Sequence, residues 1–441
     1  MKTESNGQAP TRRQFLKSSS AAAAGAAVSS LAIQRASYAA SGDTIRIGLI
    51  GCGGRGTGAA KQALRADKNI KLVAMADAFS DKITLTHKSL SAIGDIKEKI
   101  EVPADKRFVG FDAYKKVTDA VDVVLLTTPP QFRPMHIKYA IDTGRHVFAE
   151  KPVAVDAPGV RSVLETCQKA KTKGLSVVSG LCLRYYNCFE ETIKRIHDGA
   201  IGDVMTLQAN DYRGAIWNRT REDLKKLLGR EPTEMEYQMR NWYHFTWLSG
   251  DFNVEQHVHF LDVCAWAKGG YPEDVVCMGG RMTRPDTGNI YDHFSAVYTY
   301  ADGARFFSNS RQVPGRGLHK NMSASVIGTK GSGVISERKL SHHLKTKDGE
   351  WRFHGKHNDF YQTEHDRLFD SIRKGKPINN GEYMSRSTML AIMARMSAYT
   401  GARITWKQAM ESKLDLSPPA YTWDAPIKAR PVSVPGVTKF M

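Results

Sequence analysis

The chain has 441 residues, 41% hydrophobic and 24% charged, with a formal net charge of +18. That length exceeds what a single core usually serves and suits two domains, and the ordinary composition excludes a disordered, collagen-like or disulfide-framed chain. Residues 1–39 hold Lys2, Arg12, Arg13, Lys17 and Arg35 against Glu4, so +14 is spread over the rest without the dense basic runs of a nucleic-acid arm; it reads as a solvated surface biased toward anionic ligands or a negative envelope.

Residues 1–39 predict a twin-arginine signal peptide. Thr11-Arg12-Arg13-Gln14-Phe15-Leu16-Lys17 carries the paired arginines, residues 18–33 are Ala-rich and only mildly apolar, and Ser37-Tyr38-Ala39 offers small residues for cleavage. An Ala/Ser-rich run shorter than about 20 residues is a poor membrane span. The expectation is export of the folded protein to the periplasm or cell envelope, where no free nicotinamide pool exists; a cofactor would be loaded first and held tightly.

From 40 to 181 the pattern predicts a doubly wound Rossmann domain. Apolar runs at 45–50, 71–76, 121–127, 146–149 and 175–179 alternate with helical stretches such as 134–143 and 157–171. Gly51, Gly53 and Gly56 stand in G-x-G-x-x-G order after the first run, with Gly54 and Arg55 between them. The first glycine allows a tight turn, the second a close approach to pyrophosphate, and the third packing of the following helix near the sheet. Asp77 ends the second run, 21 residues past Gly56, where a carboxylate would accept from the adenosine ribose hydroxyls. That acid favours NAD, with nearby Lys82 keeping NADP as the alternative. Ligands in such sheets lie beyond the carboxyl ends of the strands, which draws attention to Thr128-Pro129 and Glu150-Lys151-Pro152.

Residues 182–415 predict an α+β domain for substrate binding and oligomerisation. Runs at 204–212, 274–281, 293–300, 305–312 and 322–327 read as strands, and Ala301-Asp302-Gly303 as a hairpin turn, so this sheet is expected to be largely antiparallel. Helical patterns resume at 358–373 and 383–399. Residues 416–441, with Pro418, Pro419, Pro426, Pro431 and Pro435, predict an extended arm over this subunit or a neighbour. The six cysteines show no metal-like spacing; buried free thiols are the default, with a Cys182–Cys188 bridge as the oxidised alternative.

The glycine fingerprint with Asp77, Thr128-Pro129, Gly144-Arg145-His146-Val147 leading into Glu150-Lys151-Pro152, Ala200-Ile201-Gly202-Asp203-Val204 and Gly328-Thr329-Lys330-Gly331 together resemble the Gfo/Idh/MocA oxidoreductases, over residues 45–406. The resemblance implies that Lys151 stands by nicotinamide and substrate, and that a later helix supplies an acid and a histidine in D-x-G-x-H-x-x-D order. The counterpart runs from Asp251 to Asp262. Matching H-x-x-D puts His259 at the histidine and Glu255 at the acid; at 100° per residue Glu255, His259 and Asp262 share a helix face. His257 departs from the pattern, standing where the family has glycine, so either histidine could face the substrate.

On this reading His259 is the base, Lys151 stabilises a developing alkoxide, and Glu255 orients the imidazole or binds a second hydroxyl. Arg184, Tyr212, Trp242 and His257 are the candidate substrate contacts. Tyr212 and Trp242 belong to a segment rich in aromatic and basic side chains (Tyr212, Arg213, Trp217, Arg219, Tyr237, Arg240, Trp242, Tyr243, His244, Trp247), a composition that suits a sugar ring, with a packed interface as the alternative. The function expected is an exported oxidoreductase passing a hydride from a secondary hydroxyl of a sugar, glycoside or polyol to tightly bound NAD(P), acting as a homo-oligomer through its C-terminal sheet. The alternative is a redox-neutral glycosidase or epimerase that recycles its cofactor internally. No metal and no nucleic acid enter either reading.

Overall fold

The computed structural model describes residues 43–284, 287–336 and 342–439; the twin-arginine segment lies outside them. Six strands, Ile45–Ile50 (β1), Ile70–Asp77 (β2), Arg107–Val109 (β3), Val123–Leu126 (β4), His146–Ala149 (β5) and Val177–Ser179 (β6), pair in parallel in the order β3-β2-β1-β4-β5-β6. Helices Gly54–Ala66 (α1), Ser80–Ser91 (α2), Ala113–Ala120 (α3), Arg133–Asp142 (α4) and Ala157–Lys173 (α5) alternate with them. Both faces are thus covered, which is why β1 and β4 are near-continuous apolar runs. β3 is three residues long and half exposed, too short to show periodicity. The strand order reverses between β1 and β4, and a cleft opens beyond their carboxyl ends.

The second region begins with Asn187–His197 (α6) and Val204–Arg213 (β7). Arg221–Leu228 (α7) and Glu234–Arg240 (α8) follow, each opened by a capping box, Thr220 with Asp223 and Thr233 with Glu236. Three further helices are Thr246–Ser249 (α9), Phe252–Glu255 (α10) and Val258–Lys268 (α11). Strands Asp274–Gly280 (β8), His293–Thr299 (β9), Arg305–Gln312 (β10), Asn321–Gly328 (β11), Gly331–Ser336 (β12), His343–Thr346 (β13) and Gly349–Arg352 (β14) come next. The chain then forms Phe360–Arg373 (α12), Gly381–Thr400 (α13), Ile404–Thr405 (β15) and Trp406–Glu411 (α14). The nine strands run β14-β13-β12-β11-β7-β10-β9-β8-β15, antiparallel except for the central β7/β10 pair. Helices α11 and α13 cover one face. On the other, Val276, Val297 and Phe307 stand opposite one another across β8, β9 and β10, and all three are exposed.

Sequence order and domain membership part company late in the chain. Helix α12 packs against α1, and its Leu368, Phe369 and Ile372 join the core under β1 and β2. Just after it, Val177 N donates to Ile378 O at 2.7 Å and Asn380 N to Val177 O at 2.9 Å, adding a bridge at the free edge of β6. A Rossmann unit ending at 181 therefore lacks one of its own packing helices. The Pro-rich arm lies over this subunit: Leu416 N donates to Asp156 Oδ2 at 2.9 Å, Gln131 Nε2 to Tyr421 Oη at 2.9 Å, and Tyr291 Oη to Ser433 O at 2.7 Å. All six cysteines are free and buried, so the Cys182–Cys188 bridge is not formed.

Candidate active site

The cleft of about 600 Å³ is built from the glycine loop, the ends of β2, β4 and β5, the segment around Trp217–Trp242 and the turn between α10 and α11. Gly51 has φ +100° and a Cβ there would lie 2.7 Å from the Thr127 and Thr128 backbone, while one on Gly56 would lie 2.0 Å from Gly51 O. These two glycines are required by the fold of the loop itself. A Cβ on Gly53 or Gly54 meets nothing within 4 Å, and both line the cleft, so their bareness leaves open backbone beside the amino end of α1. Asp77 accepts from Cys52 N at 2.6 Å and Phe79 N at 2.9 Å, which fixes its carboxylate at the cleft wall beside Lys82. Burial raises its pKa against these two bonds. The cradle and the acid fit a dinucleotide, whose ribose hydroxyls would donate to Asp77.

Beyond Thr128 and Pro129 the floor of the cleft holds Arg133, Glu150 and Lys151. Arg133 is 4% exposed and donates to Thr128 O at 2.6 Å and to Pro152 O. Burial lowers it to about 10, so it stays charged at neutral pH. Glu150 Oε1 lies 2.8 Å from Arg55 Nε, and a Cβ on Gly180 would come within 2.6 Å of the carboxylate. Arg55 in turn sits 4.5 Å over the ring of Tyr361, from α12. The Lys151–Pro152 peptide is cis. Lys151 Nζ donates to Glu255 O at 2.5 Å and Oε1 at 3.1 Å, both side chains being nearly buried.

Glu255 and His259 do not stand on one continuous helix. Helix α10 ends at Glu255 and α11 starts at Val258, with Gln256 and His257 between them. Asp251, which opens α10, has φ 84° and ψ 157°, a region normally left to glycine. It is fully buried and held by Tyr291 N at 2.9 Å and Tyr399 Oη at 2.5 Å. The break turns Glu255 onto Lys151, not onto the imidazole as expected, and leaves His259 on the cleft wall with Nδ1 lacking a partner among the described residues. Burial, then the charges of Lys151 and Arg213, hold His259 well below the ordinary value of 6.5, so it is neutral, a weaker base than a solvated imidazole with its acceptor nitrogen uncharged.

Three expected substrate contacts lie outside the cleft lining. His257 is fully buried behind it, its Nε2 sharing a proton with Ser308 Oγ at 2.8 Å, and burial lowers it to about 3. Arg184 is bound to Asp262 through two bonds of 2.8 and 2.9 Å and lies 4.0 Å over Tyr383, which also removes Asp262 from the site. Tyr212 bonds Asn210 Oδ1 at 3.1 Å and stays on the sheet. Trp242 does line the cleft, with Trp217, Arg219 and Arg240, whereas Tyr237, Tyr243, His244 and Trp247 are packed. The aromatic segment is thus divided between the cleft wall and the packed interior. Sequence reasoning missed Arg133, His136, Phe79 and Tyr361. Arg133 had a signal, three residues beyond a strand-end Pro-Pro; Tyr361 had none.

Residues 45–179 match the model of the oxidoreductase family with an NAD-binding Rossmann fold, and residues 189–334 match the Gfo/Idh/MocA C-terminal domain. The chain belongs to the Gfo/Idh/MocA oxidoreductases. Among relatives, the inositol 2-dehydrogenase of Rhizobium meliloti is 25% identical over 347 residues, covering 76% of this chain and 91% of that one. Glycosyl hydrolase family 109 protein 1 of Bacteroides thetaiotaomicron is 26% identical over 195 residues, 41% of this chain and 38% of its own length. The aldose-aldose oxidoreductase structure from Caulobacter crescentus, complexed with glycerol, superposes with a TM-score of 0.62 at 17% identity, covering 82% of this chain and 99% of that one, a likeness of fold. As a Gfo/Idh/MocA member this chain is an NAD-binding oxidoreductase.

Proposed function

We propose that this oxidoreductase removes a hydride from a secondary hydroxyl of a sugar, glycoside or polyol, using tightly held NAD(P). The observation that carries this reading is the Lys151–Glu255 pair beside a neutral His259 in the cleft that holds the glycine cradle. Nicotinamide, when bound, supplies the hydride acceptor. Lys151 holds the substrate oxygen and stabilises the negative charge that grows on it, Glu255 keeps the ammonium in place, and His259 takes the hydroxyl proton. The polyol class is supported by the relative named an inositol 2-dehydrogenase. Asp77 favours NAD, since it would repel a ribose 2′-phosphate. Mass spectrometry of nucleotide extracted from the folded protein identifies the cofactor, and its reduction by a panel of polyols and sugars tests the reaction; no reduction by any of them overturns it.

The redox-neutral reading, cleavage or epimerisation with internal recycling, draws support from the relatives named for glycosyl hydrolase family 109. Against it, the three acids of the lining are engaged: Asp77 with two amides, Glu150 with Arg55, Glu255 with Lys151. Among the described residues of the lining no carboxyl group is left to protonate a departing glycosidic oxygen. Net oxidoreduction is therefore the preferred reading, and many turnovers of a glycoside without an added acceptor would reverse the preference.

Two further expectations belong here. The paired arginines Arg12 and Arg13 support export, which fusion of residues 1–39 to a reporter would test in a strain lacking the twin-arginine translocase. The exposed row Val276, Val297 and Phe307 supports a second copy covering the open face of the larger sheet.

A further inference from the structure

Three segments far apart in sequence meet at the nucleotide end of the cleft. Phe79 follows Asp77 by two residues and its N–H holds that carboxylate. On the Phe79 ring lies the guanidinium of Arg240, 4.0 Å from the centroid, and the ring of Trp423 from the C-terminal arm is 5.2 Å away. Arg240, 7% exposed, also donates to both carboxylate oxygens of Asp81 at 2.9 and 3.2 Å, tying the end of α8 to the start of α2. Trp423 lies 4.7 Å from Phe111 as well, and Tyr421 lies 5.5 Å from Phe132. Phe79, Phe111, Phe132 and Arg240 line the cleft; Trp423 and Tyr421 stand behind them, outside the lining.

We propose that Arg240 and the C-terminal arm form a lock on the nucleotide-binding loop, which makes the dinucleotide a resident group released only when the arm and the Arg240–Asp81 pair let go. The inference rests on the cofactor reading above and assigns its residence time to named residues. The wall next to Asp77 is pinned by a cation of the lining that comes from the second region and by an arm from the far end of the chain that stands behind the lining. Five rings, Phe79, Phe111, Phe132, Tyr421 and Trp423, pack there in one apolar cluster with Leu224, Met235, Met239 and Leu416, and the Arg240 guanidinium lies on one of them, so opening this wall exposes apolar surface. Nucleotide exchange then requires that cost to be met, whereas cleft geometry around Lys151 is untouched.

The test is the release rate of adenine-labelled NAD from the full-length protein, followed by rapid gel filtration after a chase with unlabelled NAD. Asp81→Asn, Trp423→Ala and a chain ending at Asp415 should each release it about tenfold faster or more, with Trp423→Phe close to wild type. Should the shortened chain fail to fold by circular dichroism, the two point variants decide. Release rates equal to wild type in both overturn the lock. A wild-type protein that yields no dinucleotide on extraction and also takes up no labelled NAD overturns the cofactor reading instead, and so the two failures are distinguishable.

Discussion

Lys151 Nζ is held at two points by one residue, donating to the main-chain oxygen of Glu255 at 2.5 Å and to its carboxylate at 3.1 Å. The lysine leaves a Rossmann strand end and the glutamate closes a helical turn of the second region, so the pair fixes an ammonium at the junction of the two. A cation with one main-chain and one carboxylate acceptor keeps a third donor for a substrate oxygen. Lys151→Ala should slow hydride transfer by about a thousandfold or more, and Glu255→Gln, which keeps an oxygen but loses the charge, by about ten- to a hundredfold. Single-turnover reduction of bound cofactor measures both. A Glu255→Gln rate equal to wild type would leave positioning to the main-chain contact alone.

His259 and His257 separate cleanly in the structure, one on the cleft wall and one buried against Ser308. His259→Ala should cost hydride transfer at least about a hundredfold, while His257→Ala should lower the melting temperature with the smaller effect on rate. Because His259 is held well below 6.5, the rate should show no inflection near that value and should fall only in more acid solution. A larger rate loss in His257→Ala than in His259→Ala would falsify the assignment.

Several histidines are held neutral, with desolvation as the leading cause: buried His136 and His257 are lowered to about 3, buried His244 and His342 and half-buried His146 to about 4. Each folded value lies below the unfolded 6.5, so the unfolded chain binds the extra proton first. Their stabilisation is whole above pH 6.5 and is lost as pH falls from there toward 4, by at most about 1.4 kcal/mol per pH unit for each. Thermal unfolding between pH 7.5 and 4.5 should show a melting temperature that is flat at the upper end and falls steadily below 6.5. A flat profile down to 4.5 would mean that these histidines are solvated.

The glycines of the loop divide by what surrounds them. Gly56→Ala places a methyl 2.0 Å from Gly51 O and should lower both stability and nucleotide uptake. Gly53→Ala meets no protein atom within 4 Å and should melt like wild type, yet bind nucleotide at least about tenfold more weakly, since its methyl would occupy the cleft. Calorimetric titration with NAD alongside thermal melts distinguishes the two; a Gly53→Ala protein with undiminished affinity would show that the dinucleotide does not approach the loop there.

If a second copy covers the open sheet face, a charge at its centre should expel it. Phe307 is 39% exposed in a row with Val276 and Val297. Phe307→Glu should shift sedimentation from oligomer toward monomer without lowering helix or strand content, because the side chain points away from the covered face. A wild-type protein that sediments as a monomer would end this expectation.

The sequence by itself determined the parts of this protein whose physical demands are local. The strand-loop-helix with Gly51 and Gly56, the acid at the end of β2, the Glu150-Lys151-Pro152 strand end and the antiparallel hairpin of β9 and β10 are written in runs of a few residues, because a tight turn or a pleated strand restricts its own residues directly. What only the tertiary structure decided concerns contacts whose partners lie far apart in the chain: Lys151 with Glu255, Asp81 with Arg240, Arg55 with Tyr361, and α12 returning to the Rossmann core. The same holds for the break after Glu255. Helical spacing of acids and histidines continued through it, so periodicity put Glu255, His259 and Asp262 on one face, whereas Asp251 in a glycine-like conformation, fixed by Tyr291 and Tyr399, starts a separate turn. Side chains at 184, 212 and 257 were drawn into packing for a related reason. An arginine, a tyrosine or a histidine has the chemistry for a sugar and also for a buried partner, and which one it meets is set by the elements that cover it, not by its neighbours in sequence.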